Sequence, residues 1–341
     1  MNCLHCGSRA GSPRSRELAL EECLPIAGDL LALGCEDLTF IGGEVFLFKG
    51  WEKIARYFSK KGMVVNIMTN AYRIGEKEID QIRFAGLANV GISLDGLEKN
   101  HNRVRGKSDA FAQIGKAFAH LNQAGIPIGV VTSLMEFNYP DLESLYSYLL
   151  DNNVRVWQIQ LVNLMGNMAN KRDLIIRPNR VSRLTVFVRE KNKDRRMSIV
   201  AADNIGYYDE NEPYIRGRRT PLCFWEGCQA GITGVFLDSV GNVKGCGALY
   251  DDVFIEGNVR SRSLSDIWND PDSFRYNRSF DPTLLDGPCR GCDVGDVCKG
   301  GCRASNYFAT HSLYENAFCR RSKRSRYHNR SHRGTIGGRD G

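Results

Sequence analysis

Thiols dominate the chemistry available to this sequence. Twelve of its 341 residues are cysteine. Eight of them fall in one stretch: Cys223, Cys228, Cys246, Cys289, Cys292, Cys298, Cys302 and Cys319. The densest part reads Cys289-Arg-Gly-Cys292, then five residues, Cys298, three residues and Cys302. Eight thiolates suffice for two four-cysteine sites. Thiolate is a soft ligand that selects zinc, copper(I) or iron–sulfur, and a pair of structural zinc sites is the plain alternative on spacing alone. Three shorter signals lie upstream. Cys3-Leu-His-Cys6 is a CxxC pair, which alone fits a zinc half-site or a redox pair. Gly42-Gly43-Glu44 offers close backbone approach to a ligand and a carboxylate that can take an amine. Ser93-Leu94-Asp95-Gly96, followed by His101 and Arg103-Val104-Arg105-Gly106, collects hydroxyl, carboxylate and arginine at one place. Alone, Gly42–Glu44 reads better as a tight turn before a helix, and the Ser93–Gly106 stretch reads at least as well as a polar turn with solvated charges.

The elements that position these residues follow from periodicity. Leu38–Ile41, Val64–Met68, Val90–Leu94, Ile128–Leu134 and Val156–Leu161 are short runs rich in Val, Ile and Leu, apolar on both faces, as strands of a parallel sheet are. Helical patterns lie between and around them, at Glu17–Leu33, Trp51–Lys61, Glu76–Ala85, Phe111–Ala124 and Pro140–Asn152. A further helix starts near Pro178, and a strand follows at Met197–Ala202. Repeated βα units of this length predict a parallel α/β sheet, open or closed into a barrel, with ligands at the carboxyl ends of the strands. Cys3-x-x-Cys6, Gly42–Glu44 and Ser93–Asp95 all fall at that end. From Cys223 to Cys319 the pattern becomes irregular and Cys- and Gly-rich. Metal centres, more than an apolar core, should support that second domain. The division is a barrel domain over 1–205, a polar linker over 206–222, a cluster domain over 223–319 and a basic tail over 320–341.

Composition excludes some classes. No apolar run approaches the ~18 residues that span a bilayer, and the N-terminus lacks the apolar core of a signal peptide. The expectation is a cytoplasmic protein without membrane attachment, where reducing conditions point clustered cysteines toward metal or catalysis. The formal net charge is +7. From Arg320 onward eight arginines and lysines face Asp340 alone, so the tail accounts for all of it. Such a run reads as a solvated, disordered tail. A nucleic-acid arm is the sharper reading, but the neutral body offers no basic face to support it.

Taken in order, CxxC, GGE after an early strand, SLDG with a following H-x3-RG segment, and the C-x2-C-x5-C-x3-C…C block resemble the radical S-adenosylmethionine enzymes with a C-terminal SPASM domain. The resemblance covers Met1 to Arg320. It implies a partial (β/α)6 barrel followed by a small, irregular iron–sulfur domain. It implies S-adenosylmethionine and three [4Fe–4S] clusters, one radical cluster and two auxiliary. By position, Cys3 and Cys6 match ligands of the radical cluster. Gly42, Gly43 and Glu44 match the segment that holds the cofactor's amino group. Ser93 and Asp95 match the motif near its ribose, and Arg105 resembles an arginine that meets its carboxylate. Gln158 and Gln160 lie where adenine or substrate is contacted. The family's interleaved pattern assigns Cys223, Cys228, Cys246 and Cys302 to one auxiliary cluster and Cys289, Cys292, Cys298 and Cys319 to the other. Cys23 and Cys35 match no ligand position and read as buried free thiols.

The function so implied is reductive cleavage of S-adenosylmethionine to a 5′-deoxyadenosyl radical. That radical abstracts hydrogen from a ribosomal precursor peptide or protein and leaves a crosslinked or oxidised side chain. A small electron donor such as ferredoxin or flavodoxin is the other implied partner. The alternatives are an enzyme of cofactor biosynthesis or sulfatase maturation in the same family, a catalytically silent iron–sulfur remnant, and a zinc-stabilised binding module. Two departures stand out. Val45 replaces the usual proline after GGE. The family's CxxxCxxC lacks its first cysteine here, and the first barrel strand with it. The expectation is an upstream extension of the reading frame encoding a cysteine two residues before Met1, without which the chain makes no 5′-deoxyadenosine.

Overall fold

A computed structural model describes residues 1–206, 208, 210–216, 224–319 and 321. Cys223, residues 207, 209 and 217–222 of the 206–222 stretch expected to be linker, and the expected tail apart from residue 321 lie outside the described residues.

Six parallel strands form one sheet in strict sequence order: β1 (Asp37–Phe40), β2 (Val64–Thr69), β3 (Asn89–Ser93), β4 (Ile128–Leu134), β5 (Val156–Leu161) and β6 (Ser198–Ala201). Sequential parallel pairing requires a crossover between each pair of strands. These are α2 (Trp51–Lys60), α3 (Glu76–Ala85), α4 and α5 (Glu98–Arg105 and Ala110–Gln123), α6 (Leu142–Asp151) and α7 (Pro178–Asn192), with α1 (Leu20–Ala32) entering ahead of β1. This is the parallel α/β sheet that the repeat spacing predicts, in the partial-barrel form that the resemblance implies.

One face of the sheet is dry. Val65, Ile67, Val90, Ile92, Ile128, Val130, Trp157, Ile159 and Ile199 alternate along the strands and join Trp51, Phe58, Phe118 and Leu121 from the helices in one core. Trp157 sits fully buried there because its ring nitrogen donates to Thr132 Oγ1 at 2.8 Å. The other face is polar and half-buried. It carries Asn66, Asn89, Ser93, Ser133, Gln158 and Gln160. The strands were expected to be apolar on both faces. Instead β2 and β5 alternate strictly: one face packs under the helices in the apolar core, and the other stays half-buried to exposed.

Residues 211–216, within the expected linker, are built into the barrel. A short helix, α8 (Glu212–Ile215), buries Glu212 and Ile215. Arg216 bridges to Val200 on β6 and donates to the carbonyls of Ala202 and Ile205. The C-terminal region has an antiparallel sheet, β7 (Phe236–Leu237), β8 (Asn242–Lys244) and β9 (Gly257–Asn258), and four short helices, α9 (Leu264–Asn269), α10 (Arg275–Arg278), α11 (Gly295–Cys298) and α12 (Arg303–Thr310). Its apolar clusters are small, and thiols complete two of them. It rests on α1, where Leu18 and Ile26 pack with Val243, Leu264, Ile267 and Phe274.

Candidate functional site

At the carboxyl ends of β1–β5 the chain builds a charged constellation. Asp95 leaves β3 and is fully buried. Its Oδ2 lies 2.6 Å from an Arg105 terminal nitrogen and 3.0 Å from His5 Nε2, and its Oδ1 accepts from the Ser133 backbone at 3.0 Å. The other terminal nitrogen of Arg105 donates to Cys3 Sγ at 3.6 Å. Burial alone would raise the Asp95 carboxyl. The Arg105 charge, with help from His5, outweighs it and holds the group well below the usual carboxylate range. Arg105 is likewise kept charged, by Asp95 and then Cys3, against its own burial.

Helix α4 makes this geometry possible. His101 and Arg105 stand four residues apart, so both face inward beside Val104. Gly106 ends the helix at φ 64°, a conformation that penalises any side chain. His101 Nδ1 accepts from the Asp95 backbone at 3.1 Å, while its Nε2 is buried without a partner. Burial, and then the neighbouring Arg105, push His101 down to about 4. It is therefore a neutral prop beneath Asp95. The helical patterns in the sequence do not include Glu98–Arg105, and no motif there singles out His5. The i,i+4 spacing of His101 and Arg105 ahead of Gly106 was the available signal for the helix. Nothing local couples His5 to a carboxylate ninety positions away.

The cysteine loop is pinned on two sides. Leu4 N–H donates to the Val104 carbonyl at 2.8 Å. The Asn167 side chain donates to the Cys3 carbonyl at 2.9 Å, and the Asn167 backbone to the Cys6 carbonyl at 3.0 Å. Cys6 Sγ accepts from the Ala10 backbone at 3.3 Å. On the other side of the mouth, Glu44 Oε1 accepts from Thr69 Oγ1 at 2.8 Å and Oε2 from the Asn70 backbone at 3.0 Å. Burial raises the Glu44 carboxyl despite these bonds. Gly42 adopts φ 138°, which suits glycine. A Cβ on Gly43 would meet Ala10 at 3.5 Å, so the two motifs abut. Ser93, Gln158 and Gln160 line the inner face, and Gln160 donates to Ser133 Oγ at 3.0 Å. Of the candidate residues, the structure therefore joins Cys3, Asp95 and Arg105 in direct contact. It sets Gly43 against the cysteine loop and Gln158 and Gln160 half-buried on the inner face of the sheet. Cys23 and Cys35 are half-buried, not buried as expected, and donate to the Ala19 and Asp37 carbonyls; both thiols are raised, first by burial.

The remaining cysteines separate into two groups. Cys289, Cys292, Cys298 and Cys319 line a single cavity with Asn316 and Tyr208. Cys228, Cys246 and Cys302 share an apolar cluster with Phe254, Leu249 and Ala304. Burial, reinforced by neighbouring thiolates, pushes Cys298 up to about 12 and raises Cys289, Cys246 and Cys302. Thiols this reluctant to ionise become ligands only when a cation sits among them. Among the described residues no three such side chains converge tightly enough for a single metal ion. Four thiols around one cavity are a soft donor set of the kind that zinc and iron–sulfur clusters take. The donor set thus fits iron–sulfur.

The comparisons agree. The profile described as "Radical SAM superfamily" matches residues 1–149, and that described as "Iron-sulfur cluster-binding domain" matches residues 228–293. The AdoMet-dependent heme synthase of Oleidesulfovibrio alaskensis is 26% identical over 93% of this chain and 83% of its own length. The PqqA peptide cyclase of Granulibacter bethesdensis is 23% identical over 92% of this chain and 82% of its own. Streptococcus suis SuiB, solved with its precursor peptide SuiA, superposes with a TM-score of 0.73 at 16% identity over 93% of this chain and 72% of SuiB. The chain is built from a radical S-adenosylmethionine domain followed by a SPASM domain, and these imply S-adenosylmethionine and [4Fe–4S] clusters as its cofactors.

Proposed function

We propose that this protein reductively cleaves S-adenosylmethionine and uses the resulting 5′-deoxyadenosyl radical to take a hydrogen atom from a ribosomal peptide or protein, leaving it crosslinked or oxidised. The observation that carries the chemistry is the Cys3–Arg105–Asp95–His5 constellation across the sheet mouth from Glu44. A cluster bound at Cys3 and Cys6 supplies the electron for cofactor cleavage; everything else falls to the chain. Glu44, fixed by Thr69 and Asn70, presents a carboxylate to the cofactor's ammonium. Arg105 sets a buried positive charge against the Cys3 thiolate. Asp95 and His5 hold Arg105 and the cysteine loop in place. The polar inner face with Ser93, Gln158 and Gln160 receives the ligand. The site pairing is Cys223, Cys228, Cys246 and Cys302 for one auxiliary cluster and Cys289, Cys292, Cys298 and Cys319 for the other. We assign the electron to a small cytoplasmic donor such as ferredoxin or flavodoxin. Support for a peptide comes from the PqqA peptide cyclase and from SuiB with its precursor peptide.

The heme synthase likeness, higher in identity, favours a second reading in which the substrate belongs to a heme-forming reaction. The test is an anaerobic assay of the protein with S-adenosylmethionine and a reductant. The expected result is 5′-deoxyadenosine, formed faster with a short peptide encoded beside the gene. Stimulation by an iron porphyrin and by no peptide would select the second reading. Stoichiometric zinc with no sulfide would end both.

A further inference from the structure

An arginine is buried beside both auxiliary cysteine groups. Arg303 follows Cys302 at the start of α12 and is fully buried. One terminal nitrogen donates to the carbonyl of Lys299, the residue after Cys298, and to that of Leu313. The guanidinium lies 4.4 Å from the Tyr314 ring centroid and 5.6 Å from that of Phe280. Its Nε and its other terminal nitrogen are buried with no hydrogen-bond partner. No carboxylate pairs with it among the described residues. Removing a guanidinium from water costs several kcal/mol unless a negative charge repays it, and two carbonyls and two ring faces supply only partial charge. Burial pushes the Arg303 guanidinium down from its ordinary value, and the groups that act against burial are Cys228, Tyr314, Cys302 and Cys298. Cys228 and Cys302 belong to one auxiliary group and Cys298 to the other. Arg105 repeats the arrangement at the N-terminal loop, with Cys3 as its thiol, but Asp95 already neutralises it. Arg303 has no such counter-charge.

We infer that Arg303 is the shared counter-charge of both auxiliary clusters, with its two unpartnered nitrogens directed at cluster or thiolate sulfur, and that it raises the reduction potential of both. The inference rests on the two-cluster reading above. A four-iron cluster with four thiolates is an anion and gains a further negative charge on reduction. A buried cation within reach stabilises the reduced form more than the oxidised one, and hydrogen bonds to sulfur act in the same direction. One residue shared by both sites would keep the two potentials high together. It would also couple them, since reducing one cluster engages the same guanidinium that serves the other.

The experiment is a redox titration of the anaerobically purified protein, followed by EPR, with iron and sulfide counted first. About eight of each from the auxiliary region confirms the two clusters; zinc, or half that iron, sinks the two-cluster reading and with it a charge shared by two clusters, whatever the variants do. Arg303→Met should keep its iron and shift both midpoints to more negative values, and Arg303→Lys should restore them toward the parent. A purely structural Arg303 would not show that rescue. Full iron with both midpoints unmoved in Arg303→Met overturns the proposal. If neither variant loads iron, the unaltered Arg303 is read directly in protein labelled with guanidino-15N-arginine and carrying Arg290→Lys and Arg321→Lys. Weak nitrogen coupling to a reduced auxiliary cluster supports the proposal, and its absence overturns it.

Discussion

Asp95 is the residue on which the barrel mouth turns. It satisfies Arg105, His5 and the Ser133 backbone at once and has no exposed surface, so it reaches any ligand only through those partners. Removing one member of a buried ion pair strands the other, at about 3 kcal/mol or more. Asp95→Ala should therefore lower stability by about 3 kcal/mol in denaturant titration. It should weaken S-adenosylmethionine binding in equilibrium dialysis and leave auxiliary iron at the parental level. Unchanged affinity would place the cofactor elsewhere. Gly43→Val tests the other side of the mouth. The added methyl groups would press on Ala10, behind Cys6, and so should also weaken cofactor binding without loss of auxiliary iron. The residue types of this site were legible in the sequence because each motif ends a strand. Their partnerships were not. Asp95 reads as a ligand-facing carboxylate until the structure shows its oxygens spent on protein, and Arg303 carries no motif beyond following a cysteine.

Among the elements, strand positions were readable to within a residue or so. Val64–Met68 became Val64–Thr69, and Ile128–Leu134 and Val156–Leu161 stand unchanged. Parallel strands in βα repeats are bounded by strong turn signals, so tertiary context had little to correct. Helix α4 was missed because its sequence, Glu98–Arg105, is almost wholly polar and shows no apolar stripe. It forms because Val104, His101 and Arg105 find partners in the mouth, which is a tertiary cause. Gly106 then matters more than its surface position suggests. Gly106→Ala would force a side chain into φ 64° and cost about 1–2 kcal/mol. The expected readout is a lower thermal midpoint with unchanged helix content by circular dichroism. A midpoint equal to the parent would show that the end of α4 relaxes freely. The polar inner face was also misread, since Val and Ile on one face of a short strand mask Asn and Gln on the other.

Across the whole molecule, the two regions are held by different means and should fail differently. The barrel has a continuous apolar core; the C-terminal region has small clusters completed by thiols. Cys246→Ala and Cys292→Ala should each remove roughly half of the auxiliary iron, by the four-iron stoichiometry. The barrel should still unfold as one unit by circular dichroism. Loss of all iron from either variant would mean that the two sites load together.

The regions also communicate through one hydroxyl. Tyr250, beyond β8, donates to the Ser8 carbonyl at 2.9 Å, and Arg14 donates to Tyr250 at 2.5 Å while pairing with Asp238 at 2.8 Å. These contacts press the loop that carries Cys6 onto the cluster domain. Ala10, whose backbone bonds Cys6 Sγ, lies between the two anchors. The Arg14–Asp238 pair is partly exposed and contributes little by itself. The Tyr250 hydroxyl is the tighter joint, since it closes the loop at Ser8, two residues from Cys6. Tyr250→Phe keeps the ring and loses both hydrogen bonds, a local cost of about 1 kcal/mol each. Amides in residues 4–12 should then exchange with deuterium at least about fivefold faster, as 1 kcal/mol of local opening dictates. Amides of β3–β5 should be unaffected. Equal protection in the loop would mean that Leu4 and Asn167 hold it unaided, and that the cluster domain does not steady the cysteine loop.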